Sequence, residues 1–243
     1  MVQSLADRSV LLDWSRFAVA YARALHGAGL PAPAVEDEVT RVLDARGVAS
    51  TVMATPTALW VDVDGSRVVR VAPAPAHLAR QVGLLAVGDR VADGAAPDVA
   101  EAELAALVAR PGPWGRVADG IASIGLSAAA ATLLGGTVDD VVAAGLLGLG
   151  AVAGHRALRD RTRWTWVADG TVALAVSVVA AALGAIGVDP GRTALAALVA
   201  LAPGMQLATA AAETANGHWA SGSARLAGAF VAMVQLGARH AVT

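Results

Sequence analysis

The sequence has no cysteine and no lysine, only one tyrosine and two phenylalanines in 243 residues, and a formal charge of −2. Absence of cysteine excludes disulfides, thiolate metal sites and a cysteine nucleophile. Absence of lysine leaves arginine to carry every permanent side-chain cation, and a near-neutral balance gives no footprint for nucleic acid. There is no Gly-x-Ser-x-Gly elbow, no His-Glu-x-x-His and no glycine-rich phosphate loop, so no catalytic residue, metal site or cofactor is expected. The first residues, Met1 to Phe17, carry acids early and lack an uninterrupted apolar run, so they do not read as a secretory signal peptide.

What is present is apolar and small. Hydrophobic residues make up 56% of the chain and the mean hydropathy is +0.58. Charge is uneven: residues 1–112 hold ten Arg and thirteen Asp or Glu, whereas 113–243 hold eight Arg and seven acids. The boundary falls near Pro111-Gly112-Pro113. Composition thus divides the chain into a polar and an apolar half. The residue patterns of each half and the basic loop of the second predict a small cytoplasmic α/β domain over 1–112 and a mainly α membrane domain over 113–243, built as a bundle of five spanning helices.

In the first half Leu11, Trp14, Ala18, Tyr21 and Leu25 recur at helical spacing, with the stretch His26-Gly27-Ala28-Gly29 as its stop. A second helix is expected with Glu36, Asp37 and Glu38 in its first turn, Arg46 in its last turn and Gly47 after it. Ser50–Ala54, Thr57–Val63 and Arg67–Val71 read as strands, the last two joined as a hairpin at Asp64-Gly65. Asp62 to Gly65 lacks the further ligands and closing glutamate of a calcium loop. Two helices, His77–Ala92 and Asp98–Ala109, follow. His26 and His77 are expected as surface or packing residues.

In the second half, apolar segments of membrane length cover Val117–Gly135, Val138–Gly154, Trp164–Ile186, Thr193–Ala212 and Ala220–Ala238. Four arginines lie between residues 156 and 163. Basic loops stay cytoplasmic, which places the N-terminal domain and Asn216–His218 inside, and Gly136-Thr137 and Gly187–Arg192 outside. Trp114, Trp164, Trp166 and Trp219 then fall at cytoplasmic boundaries, as interfacial aromatics do. Abundant small residues, among them Gly150-x-x-x-Gly154, suit close helix packing.

The fourth segment is the unusual one. Its apolar run breaks at Pro203-Gly204 and continues with Gln206, Thr209 and Glu213. Proline removes a backbone bond, and membranes tolerate such a break where the freed groups find partners. A helix restarting there offers unpaired N–H groups to a substrate carboxylate, with Gln206 and Thr209 as neutral partners and Glu213 able to meet an ammonium or carry a proton. Pro203, Gly204, Gln206, Thr209 and Glu213 are therefore the candidate substrate-binding residues. The plainer reading is a kinked packing helix, with Glu213 in interfacial water or paired with Arg225.

Across residues 10–240 the order of features resembles the N-terminal module of the threonine/serine exporter family, including stand-alone membrane halves such as the succinate-exporter-type split subunits. The resemblance rests on Ala24-Leu25-His26-Gly27-Ala28-Gly29 with Val35-Glu36-Asp37, then Thr55-Pro56-Thr57, Arg70-Val71 and Leu78-Ala79-Arg80. It continues with Leu134-Gly135-Gly136, Leu201-Ala202-Pro203-Gly204, Ser221-Gly222 and Ala224-Arg225. Family members commonly show Asn-x-x-x-Asp where this chain has Thr209 and Glu213. A frequent Arg is Ala212 here, a later Asp is His218, and a familiar Asn is His77.

The resemblance implies a non-enzymatic, multi-pass protein of the cell membrane that exports threonine/serine-like amino acids or small dicarboxylates. Its expected partners are the lipid bilayer, that small molecule, and a second membrane module or further copies of itself. The rival readings are a membrane-anchored enzyme with its chemistry in the first half, and a scaffold subunit without transport. For topology, a cysteine introduced as Thr162→Cys is expected to be shielded from an impermeant thiol reagent in intact cells, and Thr137→Cys to be labelled. The reverse pattern would overturn the orientation.

Overall fold

A computed structural model describes residues 5–63, 65–74, 76–112, 115–159, 161 and 165–237. It divides into two compact units: residues 1–113 with Met205–Leu226, and Trp114–Gly204 with Ala227–Thr243.

The first unit opens with α1 (Leu5–Gly27) and α2 (Ala32–Ala45), followed by β1 (Thr51–Ala54), β2 (Ala58–Asp62) and β3 (Ser66–Arg70), then α3 (Leu78–Ala92) and α4 (Pro97–Ala109). The periodic stripe of α1 becomes the centre of the core. Phe17, Ala18, Tyr21 and Leu25 are fully buried, Phe17 stacks on Tyr21 at 5.5 Å, and Trp14 meets Phe17 edge-on. Val35, Val39 and Val42 of α2 and Leu84, Val87 and Val91 of α3 close over them. The sheet is antiparallel in the order β1-β2-β3, with Thr51 opposite Asp62 and Ala58 opposite Arg70. Leu59 and Val61 alternate inward along β2, as a half-buried strand requires.

The helix α2 starts about a turn earlier than its acids suggested. Pro33 lies in the first turn, where a missing N–H costs nothing, so Glu36 to Glu38 occupy the second turn. Arg46 is the cap residue beyond the helix, not part of its last turn. Asp64 of the hairpin lies outside the described residues.

The second unit holds α5 (Arg116–Leu133), α6 (Val138–Arg159), α7 (Thr165–Leu183) with a 3₁₀ turn at Gly184–Ile186, and α8 (Pro190–Leu198) with another at Val199–Leu201. The chain then passes through Ala202-Pro203 into α9 (Gly204–Ala215) and α10 (Trp219–Gly237), and α10 runs from the first unit back into the second. Each apolar segment read from sequence contains a helix, the fourth being split into α8 and α9. Among the described residues two stretches, Val138–Arg159 and Val167–Ile186, are long and apolar enough to cross a membrane, with mean hydropathies of 1.5 and 1.9. The pair Pro190–Leu201 and Gly204–Ala215 makes a third when taken as one broken span.

The second unit packs differently from the first. Its buried positions are mostly small, Ala131, Ala144, Ala151, Ala173, Ala180, Ala194 and Ala197 with Ser123, Ser127 and Thr193, and Val172, Val176 and Leu198 are the larger members of its core. Large side chains point outward, including Val117, Ile121, Leu133, Val138 and Leu146. Small residues draw the backbones together: a Cβ on Gly148 would collide with Ser127 of α5, and one on Gly145 would sit 3.3 Å from Ile124. Of the pair singled out by spacing, Gly154 faces Val172 of α7, but Gly150 opens onto empty space. Trp114 and Trp164 lie outside the described residues, as does the side chain of Trp166; Trp219 is exposed.

Gly88 of α3 tests the aromatic core. A Cβ there would collide with Tyr21 Oη and come 2.7 Å from Glu38 Oε1, to which Tyr21 donates at 2.8 Å. Gly88→Ala is expected to destabilise the full chain by about 1–3 kcal/mol, the usual cost of overpacking. Thermal unfolding in detergent checks this, and an unchanged melting temperature would contradict it.

Candidate functional site

Glu213 sits on the last full turn of α9 and is completely buried. Its helix ends in a Schellman arrangement: Gly217 takes φ 83° and donates to the Thr214 carbonyl, while His218 N–H returns to the carbonyl of Glu213 itself. That turn sends α10 back alongside α9, so closely that a Cβ on Gly222 would collide with Thr214 Oγ1. The return brings Arg225 to Glu213. Its Nε donates to Oε1 at 2.9 Å and to Oε2 at 3.1 Å.

The same carboxylate accepts a third bond, 3.0 Å long, from the backbone N–H of Ala32. Ala32 is the first residue of α2, whose N-cap position is Pro31 and offers no side-chain cap. The first N–H groups of a helix have no internal partner and lie at the positive end of its dipole. Glu213 therefore supplies, from 181 residues away, the cap that the local sequence lacks.

His26, near the end of α1, joins this cluster. It is 2% exposed, and neither ring nitrogen has a hydrogen bond of normal geometry among the described residues. Burial holds its pKa below the ordinary histidine value, and the Arg225 charge pushes the same way. The Pro56 and Ala72 carbonyls and Glu213 pull weakly against this.

Of the residues predicted from sequence, Gln206, Thr209 and Glu213 lie at i, i+3 and i+7 on α9 and so share one side of it. Gln206 is exposed and Thr209 half-buried. Pro203 lies in the break and Gly204 opens α9. Sequence alone gives His26 as a surface or packing residue and Arg225 as an ion partner of Glu213 in the plainer reading. Both stand inside motifs that carried the family resemblance, which was the one available signal. His77 is half-buried before α3, and its N–H donates to the Ala28 carbonyl at 2.9 Å, a packing role.

In the second unit Asp140 forms a separate clamp. It is 1% exposed and accepts from Thr137 N–H at 2.8 Å, Asp189 N–H at 2.7 Å and Arg192 Nη1 at 3.1 Å. Thr137 Oγ1 in return accepts from Asp140 N–H at 3.3 Å, a reciprocal cap at the start of α6. The connections before α6 and before α8 are thus bound to each other, as two loops on one side of a membrane can be.

The family comparison decides the class. The ThrE family model, described as "Putative threonine/serine exporter", matches residues 16–242. The chain belongs to the threonine/serine exporter family. Searches of curated proteins and of solved structures returned no match. With that family and its apolar helices, this is a membrane protein of exporter type. The family match spans both the aromatic-cored unit and the alanine-cored one.

His26 gives the exporter chain a pH signature. Its folded pKa lies below the ordinary 6.5, so the unfolded chain takes up the proton first. The associated stability is present above about pH 6.5 and is lost as pH falls below it. The melting temperature of the full chain is expected to drop between pH 7 and pH 5, and His26→Gln to flatten that slope. An equal slope in the variant would remove His26 from the account.

Proposed function

We propose that this chain is a membrane subunit of a secondary exporter for zwitterionic amino acids of the threonine/serine kind. The observation that carries this reading is the buried Glu213–Arg225 pair beyond a proline break. A zwitterion presents an ammonium and a carboxylate a few ångströms apart. An opposed carboxylate and guanidinium match those two charges, and the guanidinium can grip a carboxylate through parallel N–H groups. With no substrate the two side chains neutralise each other, which is how a buried ionic site avoids an uncompensated charge. A dicarboxylate would set one of its charges against Glu213, so the pair favours an amino acid. Gln206 and Thr209, on the same side of α9, supply neutral hydrogen-bonding groups nearer the break, and Pro203-Gly204 free the backbone there.

In this reading residues 1–112 form a cytoplasmic domain and residues 113–243 a transmembrane domain in the cell membrane. The spans are α5, α6, α7, the broken α8–α9 pair, and α10. Two features support the orientation. The arginines of residues 156–163 favour the cytoplasm, and the bond that Ala32 N–H donates to Glu213 ties the end of α9 to the N-terminal domain. A second membrane module, or further copies of this chain, completes the pathway. The outward-facing Val, Ile and Leu of α5 and α6 would meet lipid or that module. The protein works as a transporter, not an enzyme.

Glu213→Gln keeps the shape of the side chain and removes its charge. Export of threonine or serine is expected to fall at least about tenfold when compared at matched amounts of folded protein, the scale of an interaction worth roughly 1.4 kcal/mol, since loss of one member of the pair also lowers stability. Serine is expected to compete for wild-type export more strongly than succinate. Wild-type export by the variant across pH 6 to 8 would sink the site, and stronger competition by succinate would overturn the amino-acid preference.

A further inference from the structure

A second charged feature lies in the unit centred on α5 and α6. A cavity of about 940 Å³ opens between the first turns of α5 and the last turns of α6. Arg116, Arg156, Arg159 and Arg161 line it, together with Leu149 and Val152. Arg156 is occupied: its Nη2 lies 2.6 Å from Asp119 Oδ2. Beside it, His155 Nδ1 lies 2.8 Å from Asp169 Oδ1, without the alignment of a hydrogen bond. Among the described residues no acidic side chain pairs with Arg116, Arg159 or Arg161.

Helix electrostatics account for some of these cations but not all. Arg156 and Arg159 stand in the last turn of α6, where the dipole favours positive charge. Arg116 is the first residue of α5, where the dipole opposes it, and Gly115 before it provides no side-chain cap. A cation at the unfavourable end of a helix, with two more across a cavity that have no acidic partner among the described residues, concentrates positive potential that favours an anion. The uncapped N–H groups of α5 add to that potential.

The walls narrow the choice of anion. Leu149 and Val152 lie two to three turns from the end of α6, a helix long and apolar enough to cross a membrane. A molecule seated here meets guanidinium groups at one end and aliphatic side chains at the other. We infer that this cavity is a binding site for the phosphate headgroup of an anionic phospholipid, held by Arg116, Arg159 and Arg161 with its glycerol and first acyl carbons against Leu149 and Val152. Basic pockets at the cytoplasmic ends of spanning helices recognise headgroups in this way. The site is separate from Glu213 and predicts lipid selectivity whether or not the transport reading stands.

The test uses the purified full chain in nanodiscs of phosphatidylcholine alone, of phosphatidylcholine with phosphatidylglycerol, and of phosphatidylcholine with millimolar inorganic phosphate. Lipids retained on extraction into mild detergent are counted by mass spectrometry, and unfolding is followed by heating. Phosphatidylglycerol is expected to be retained at least about tenfold over its share of the bilayer, and to raise the melting temperature where inorganic phosphate does not. The triple variant Arg116→Gln/Arg159→Gln/Arg161→Gln is expected to lose most of that enrichment while melting normally in phosphatidylcholine. Should the triple variant fail to fold, Arg116→Gln alone is expected to lower retention at least about threefold. Undiminished retention in the variant that folds, no enrichment in the wild type, or equal stabilisation by inorganic phosphate would each overturn the headgroup site.

Discussion

A carboxylate removed from water must find partners for its charge, and Glu213 finds three hydrogen bonds within 3.1 Å. Much of the first unit follows from that requirement. Arg225 returns to the acid because α9 ends in a tight left-handed turn at Gly217 and α10 packs so closely that a Cβ at position 222 would collide with Thr214 Oγ1. The N-terminus of α2 must lie against the same acid, which allows Pro31 to stand where a capping serine or aspartate would otherwise be needed. One acid thus caps a helix of the N-terminal half, binds the cation that follows it, and lies ten residues beyond Pro203.

The two units solve the burial problem with opposite materials. The first packs Phe17, Tyr21 and branched aliphatics inside, as water demands. The second buries mainly alanine, glycine and hydroxyl side chains, with Val172, Val176 and Leu198 among them, and turns many of its Val, Ile and Leu outward. In lipid, large apolar residues gain nothing by hiding, and helix association relies on close backbone approach through small residues. Gly148 against Ser127 and Gly145 against Ile124 are that approach in detail. Charged residues in this unit lie near helix ends, and some are tied down there, as in the Asp140–Arg192 clamp.

Much of this was legible in the sequence where the signal is local. The α1 stripe, the three strands, α3 and α4 follow from periodicity and turn residues within a few positions. The start of α2 was misplaced because three consecutive acids outweighed Pro33, whose position is equally diagnostic of a first turn. Span counting was blurred by alanine, which barely prefers lipid to water, so α5 and α10 form helices without reaching the hydropathy of α6 and α7. The break at Pro203-Gly204 was visible, and so was the oddity of Glu213. Its bond to Ala32 was not, because no local pattern links residues 181 positions apart. His26 was passed over for the same reason: a lone histidine beside an apolar stripe says nothing about the arginine that folds against it.

The central claim is that Glu213 and Arg225 hold the substrate, and are not merely a structural ion pair. Replacing a buried pair by apolar side chains of similar size often leaves folding intact or improved, whereas removing one member alone costs about 3–5 kcal/mol. The double variant Glu213→Met/Arg225→Leu therefore separates structure from binding. Calorimetric titration of serine or threonine into the purified full chain and into this folded double variant is the most direct test. The account predicts binding to the wild type and none to the double variant, which still folds cooperatively and loses only about 1 kcal/mol from the missing cap on α2. Equal binding by both would contradict it.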